Sequence, residues 1–190
     1  MKLEEMKELL GKSIPPKRFK HSIAVYETAL ELAKAHKLPL ERVAISALLH
    51  DCGREVNSKE SIARAKELGV ELDMIELAQP VLIHAKLGAY NARHKYGVDD
   101  EEILKGILYH TTGAADMTEL AKVVYLADML EPARDFPGIE ELRKQAFKDL
   151  DKAMLIAYDS TMRYLLDSRL LLHPRCIEGY NQLRMQAKKE

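Results

Sequence analysis

The chain has 190 residues, with 29 Lys and Arg against 30 Asp and Glu and a formal net charge of -1. That length suits one core, so a single domain over 1–190 is expected, and the even charge argues against a non-specific nucleic-acid binder, which carries a basic excess. Two cysteines, Cys52 and Cys176, make no disulfide framework, and no run nears the roughly 18 apolar residues of a membrane span; with no apolar leader after Met1, a reduced cytoplasmic setting with no membrane partner is the expectation. Leu3, Met6, Leu9 and Leu10 then read as a short amphipathic helix, stopped by Gly11 and the Pro15-Pro16 pair. From Lys17 to about His36, the residues Ile23, Ala24, Tyr26, Ala29, Leu30 and Ala33 recur at helical spacing. After Pro39, the run Leu40–Asp51 is apolar on most sides near its end, which suits a central helix.

Ser58 or Lys59 opens a helix that Gly69 ends. Asp73 caps a run to Gln79, which Pro80 breaks. The next helix spans about Ala85 to Tyr96. Asp99-Asp100-Glu101-Glu102 gives the following one an acidic first turn, which the helix dipole favours, and it ends near His110. Thr118 and Glu119 open a helix that reaches Glu131 before Pro132. Gly138–Phe147 and Asp149 to about Ser168 are two more. Leu170 to Pro174 is a break before a last helix from about Arg175. No strand alternation is present, so the fold class is all-α: one globular bundle, core about 17–135, with helices over 138–187 packed on it. The Asp135–Gly138 loop is too short to divide it.

Six side chains fall on inward faces near helix ends: His21, His50, Asp51, His84, His110 and Asp128. Asp128 follows Val124 by four residues and Leu120 by eight, and a carboxylate on that face needs a cation. His110 follows Ile107 by three and Ile103 by seven. A single inward histidine is usually a hydrogen-bonded core residue, and a single inward aspartate a cap. Six together match the donors of a divalent-metal site. Cys52 reads as a small core residue. His36 and His94 lie in Lys-rich contexts and read as surface. Arg18, Arg54, Lys86 and Arg134 flank the six and are candidates to cradle phosphates. Thr111-Thr112-Gly113 offers two hydroxyls for a polar ligand, or an ordinary helix stop. His173, in Leu172-His173-Pro174-Arg175, is a candidate wall of a ligand pocket, or part of a helix start.

His21, then His50-Asp51, then Asp128 resembles the H…HD…D signature of the HD-domain metal-dependent phosphohydrolases. Lys17-Arg18-Phe19-Lys20-His21-Ser22, Tyr109-His110-Thr111-Thr112-Gly113 and Glu131-Pro132-Ala133-Arg134-Asp135-Phe136-Pro137-Gly138 resemble more specifically the YqeK-type bacterial symmetrical bis(5'-nucleosyl)-tetraphosphatases. The resemblance spans roughly Lys17 to Asn181. It implies an HD-domain fold and hydrolysis of diadenosine tetraphosphate to two ADP, with a dinucleoside polyphosphate or nucleoside diphosphate as ligand. It also implies iron as the metal, while the donors suit manganese, zinc or nickel equally. On it, His21, His50, Asp51 and Asp128 hold the metal, and His84 and His110 either complete a second metal position or bind phosphate, for one or two ions in all.

Water activated at the metal would attack an inner phosphate, with Asp51 as the catalytic residue that orients it or takes its proton. Gly53-Arg54 departs from the small residue and Lys expected after the HD pair. The competing readings are an HD-type hydrolase of another nucleotide (a 5'-nucleotidase or a guanosine tetraphosphate hydrolase) and a non-catalytic nucleotide-binding module. The apolar run Asp149–Leu166 would serve a homodimer as well as a core.

Overall fold

A computed structural model describes residues 1–55, 57 and 59–187. Ser58, one of the two expected helix openers, lies outside the described residues. Every described element is helical: α1 (Leu3–Ser13), α2 (Pro16–Ala35), α3 (Leu40–Leu49), a 3-10 turn (Cys52–Glu55), α4 (Ser61–Glu67), α5 (Met74–Ala78), a second 3-10 turn (Pro80–Leu82), α6 (Ile83–His94), α7 (Glu101–Tyr109), α8 (Glu119–Leu130), α9 (Ile139–Ala146), α10 (Leu150–Asp167) and α11 (Pro174–Ala187).

Short polar side chains set many of the starts by accepting hydrogen bonds from first-turn amides. Asp73 takes those of Ile75 and Glu76, Asp100 those of Glu102 and Ile103, Thr118 that of Ala121, and Asp149 that of Lys152. Pro16 begins α2, where a missing N–H costs nothing. Gly11 does not stop α1, which runs through it to Ser13. One glycine against the Phe19 ring, with a close face for packing, is tolerated inside a helix.

The centre of the bundle is α8, apolar nearly all round and burying Leu120, Ala121, Val123, Val124, Tyr125, Leu126, Ala127 and Leu130. Around it pack α2, α3, α7 and α10. The buried stripe of α2 is Ser22, Val25, Ala29, Leu32 and Ala33, turned from the expected one. Ile23, Tyr26 and Leu30 are only half-buried. The helix is apolar on two faces, and packing on α3 and α8 selects between them.

Two fastenings bring the ends of α3 and α7 together. Ser46 Oγ donates to the Ile103 carbonyl at 2.9 Å. Arg42 forks onto Asp100 at 2.8 and 2.6 Å, joining the start of α3 to the cap of α7. His36 is not a free surface residue: half-buried, it bonds through Nε2 to the Ala146 carbonyl at 2.7 Å and ties α2 to α9. His94 is exposed and stacks on Tyr90.

The loop after α7 is pinned from the far side. Gly113 has φ +65°, and a Cβ there would meet Tyr158 Oη at 2.1 Å. Only glycine suits both demands. The Ala114 amide donates to the same hydroxyl at 3.2 Å, so α10 holds the segment that follows His110.

Candidate metal centre

His50 and His110 are the residues at which α3 and α7 end. The last carbonyls of a helix have no intrahelical amide to bind. His50 Nδ1 takes the Ala47 carbonyl at 2.7 Å, and His110 Nδ1 takes that of Ile107 at 2.6 Å. His84 does the same with Val81, at 2.5 Å, across the entry to α6. A carbonyl only accepts, so Nδ1 carries the proton and Nε2 of the neutral ring presents a lone pair.

These lone pairs converge. His84 Nε2 stands 3.0 Å from His110 Nε2, and His50 Nε2 stands 3.4 Å from His21 Nε2. Asp51, only 1% exposed, sits among them. Its Oδ1 is 3.3 Å from His84 Nε2 and 3.7 Å from His110 Nε2, and its Oδ2 is 3.9 Å from His50 Nε2. His21 Nε2 lies 3.1 Å from Asp128 Oδ1. At this centre, donor atoms lie within 4.8 Å of one another in three sets: His21, His50 and Asp51; His50, His110 and Asp128; and Asp51, His84 and His110.

The arrangement fits a divalent metal for a chemical reason. Imidazole lone pairs facing one another at such distances repel unless a cation lies between them. Asp51 Oδ2 is buried and takes no hydrogen bond, which is costly for a carboxylate oxygen and leaves it a lone pair for a cation.

Three arginines stand on the same carboxylates. Arg54 Nε donates to Asp51 Oδ1 at 2.7 Å, and Arg18 lies 3.5 Å from Asp51 Oδ2. Arg134 bonds Asp128 Oδ1 at 2.6 Å. Thr111 Oγ1 is buried without a hydrogen-bond partner, whereas Thr112 Oγ1 donates to the Gly113 carbonyl at 2.9 Å. The remaining two candidates are engaged elsewhere. Lys86 Nζ binds Glu76 Oε2 at 2.6 Å and the Glu71 carbonyl at 2.8 Å. His173 Nε2 binds Asp73 Oδ2 at 2.9 Å, while its Nδ1 accepts from the Arg175 amide. That pair of contacts latches the start of α11 to α5.

Cys52 is buried, with Sγ on the Gly88 carbonyl at 3.2 Å. A buried carboxylate beside His21 was given no role from sequence. Glu131, 5% exposed, places Oε1 3.2 Å from His21 Nδ1 and takes the Ala133 amide on Oε2 at 2.7 Å.

Burial pushes the His50 imidazole down to about 4 from 6.5, and burial with the neighbouring Arg54 and His110 drives His84 well down also. Burial would raise Asp51, but the surrounding imidazoles and Arg54 outweigh it and hold the carboxyl far below the usual range. Asp128 is lowered likewise, burial being overcome chiefly by the bond from His21. His21 moves the other way: burial lowers it, yet the hydrogen bond and charge of Asp128 raise it on balance.

These shifts predict an acid-sensitive metal-free protein. The unfolded chain protonates His50 near 6.5 while the folded chain resists to about 4, so the stabilisation is complete above 6.5 and lost as pH falls toward 4. His84 acts in the same sense; His21 opposes, its contribution lost as pH rises through its raised pKa. By pH 5 the loss at His50 alone is about 2 kcal/mol. Thermal melts of chelated protein should fall by several degrees from pH 7 to pH 5; an unchanged melting temperature would show that these rings are not buried neutral.

Comparison with known proteins agrees with the geometry. The family model described as HD domain matches residues 18–133. A protein of Bacillus subtilis named "Bis(5'-nucleosyl)-tetraphosphatase, symmetrical" is 37% identical over 186 residues, covering 96% of this chain and 98% of its own. One of the same name from Halalkalibacterium halodurans is 34% identical over 95% of this chain and 96% of its own. A crystal structure of a predicted HD superfamily hydrolase involved in NAD metabolism, from Clostridium acetobutylicum, superimposes with a TM-score of 0.92 at 35% identity, covering 98% of each chain. With its histidines and aspartates gathered at one centre and relatives matched end to end, the chain belongs to the HD-domain family, in the group of the symmetrical bis(5'-nucleosyl)-tetraphosphatases.

Proposed function

We propose that the protein hydrolyses diadenosine tetraphosphate symmetrically, water adding across the bridge between the two inner phosphates to give two ADP. The observation that carries this reading is the sharing of Asp51 by two donor sets, His21 and His50 on one side and His84 and His110 on the other. Such sharing supports two divalent ions, with Asp128 completing the first position. The names of the full-length relatives supply the substrate. The nitrogen and oxygen donors suit iron, the metal implied by resemblance, and equally manganese, zinc or nickel.

When bound, a divalent ion lowers the pKa of the attacking water and draws charge from the phosphate. The protein's own groups do the rest. Asp51 stays ionised because its pKa is far below the usual range, so it serves to hold cations and orient water and is a poor acceptor for a proton at neutral pH. Arg18, Arg54 and Arg134 release the carboxylates they now touch and turn to phosphate oxygens, for which a guanidinium has matching forks. Arg18 and Arg134 are 45% and 43% exposed and free to swing. Thr111 Oγ1 is an uncommitted donor for phosphate or ribose. Lys86 and His173 pair with Glu76 and Asp73 rather than with the carboxylates of the centre and are set aside from substrate binding.

A substrate panel tests this. Diadenosine tetraphosphate should be turned over at least about tenfold faster, by kcat/KM, than guanosine tetraphosphate or nucleoside monophosphates, a gap of about 1.4 kcal/mol. A preference for either of the others would replace the proposal with a different nucleotide hydrolase.

A further inference from the structure

The four imidazoles of the centre are oriented in two different ways. His50 and His110 use carbonyls that their own helix ends leave free, and His84 uses one just before its helix. His21 has no such option. It lies in the second turn of the 20-residue helix α2, where each carbonyl is taken by the amide four residues on. Its Nδ1 meets the Glu131 carboxylate instead, at 3.2 Å, contributed from 110 residues away.

Glu131 is itself held in place. It ends α8 with an extended backbone, φ -53° and ψ 151°, ahead of Pro132. The Ala133 amide holds Oε2 at 2.7 Å. Arg143 of α9 clasps the Leu130 carbonyl at 3.3 Å and that of Arg134 at 3.1 Å, steadying the turn. Asp128 and Glu131 stand three residues apart at one helix end. Asp128 faces His21 Nε2 at 3.1 Å while Glu131 faces His21 Nδ1 at 3.2 Å. The ring is gripped at both nitrogens by the end of α8.

We propose that Glu131 is a positioning residue for the metal centre: its buried carboxylate accepts the Nδ1–H of His21, fixes the tautomer that leaves Nε2 as the ligand, and sets the ring's direction. The inference rests on the metal reading above. A carboxylate behind a ligating histidine raises the basicity of the ring, and removing such a partner lowers metal affinity by roughly 10–100-fold. Glu131 touches neither metal nor substrate; it acts through His21.

The test is calorimetric titration of the chelated full-length protein with Co2+ alone, without substrate. Glu131→Gln keeps the shape and an acceptor but loses the charge, and should weaken binding about 10-fold; Glu131→Ala should approach about 100-fold. The decisive comparison repeats both in a His21→Ala background. There, a group that acts only through His21 has nothing left to orient, and the same substitutions should change affinity less than about twofold. Equal losses in both backgrounds would assign Glu131 a general structural role and overturn the inference, as would wild-type affinity in Glu131→Gln. If Glu131→Ala does not fold, the isosteric Glu131→Gln pair of titrations decides alone. Absence of Co2+ binding by the wild type would instead remove the metal reading itself, so the two failures are distinguishable.

Discussion

Asp51→Ala is expected to lower turnover of diadenosine tetraphosphate by at least about 10³-fold, equivalent to roughly 4 kcal/mol of transition-state stabilisation, since metal-centred charge stabilisation is worth several kcal/mol. Among the described residues, Asp51 is the carboxylate common to two of the donor sets at this centre. Asp51 lies within donor distance of His21 and His50 in one set and His84 and His110 in another, so its loss strips a ligand from both. Asp128 approaches only the His50 and His110 set and His21. The prediction therefore has an order: Asp51→Ala should cost more than Asp128→Ala, in kcat and in metal bound per chain. Asp51→Asn separates two roles. It preserves shape and hydrogen bonding but not charge, and should lose metal along with activity. An Asp51→Asn protein that kept its metal and full turnover would contradict the role given to this residue.

Gly53→Ala should be strongly damaging although Gly53 is not among the candidate ligands. A Cβ at Gly53 would lie 2.1 Å from the His84 carbonyl oxygen, 2.5 Å from the Gly88 nitrogen and 3.0 Å from the Leu87 carbonyl carbon. All three are backbone atoms, so no side chain can swing aside, and the turn at Cys52–Glu55 must part from α6. Overpacking of this kind costs about 3 kcal/mol, the upper part of its usual range. For a chain of this size that lowers the melting temperature by roughly 6–12 °C. The same displacement pulls His84 from Asp51, so metal affinity should fall with stability. Gly97→Ala is the control. Gly97 has φ +69° and nothing within 4 Å of an added Cβ, so it costs only the roughly 1–2 kcal/mol of left-handed strain and should leave metal affinity unchanged.

The helix plan was largely readable because its punctuation is local. Asp73, Asp100, Thr118 and Asp149 cap their helices as their neighbours' amides require. The six histidines and aspartates were readable for a related reason: apolar spacing predicts which way a helical side chain points, and all six converge. Proximity in sequence to a ligand was a poorer guide. Lys86 is two residues from His84, which turns it about 200° around the helix axis, and it faces Glu76. Arg54 is three residues from Asp51 and stays beside it. Long-range pairings left no local sign. His173 meets Asp73 across 100 residues. Glu131 read as the end of a helix before proline and as part of a family stretch, with no role of its own, and its hold on His21 emerges once α2 lies against α8. The buried face of α2 was partly legible, Ala29 and Ala33 being buried as read, while Ile23 and Tyr26 compete with Val25 and Leu32, because amphipathic spacing cannot rank two apolar faces.

The most direct test of the whole account is a metal-dependent product analysis. Protein stripped by a chelator and resupplied with a single divalent metal is given diadenosine tetraphosphate, and the products are resolved by anion-exchange chromatography. ADP should be the sole product, formed only after metal is restored. ATP with AMP, or hydrolysis that persists in the stripped protein, would contradict it.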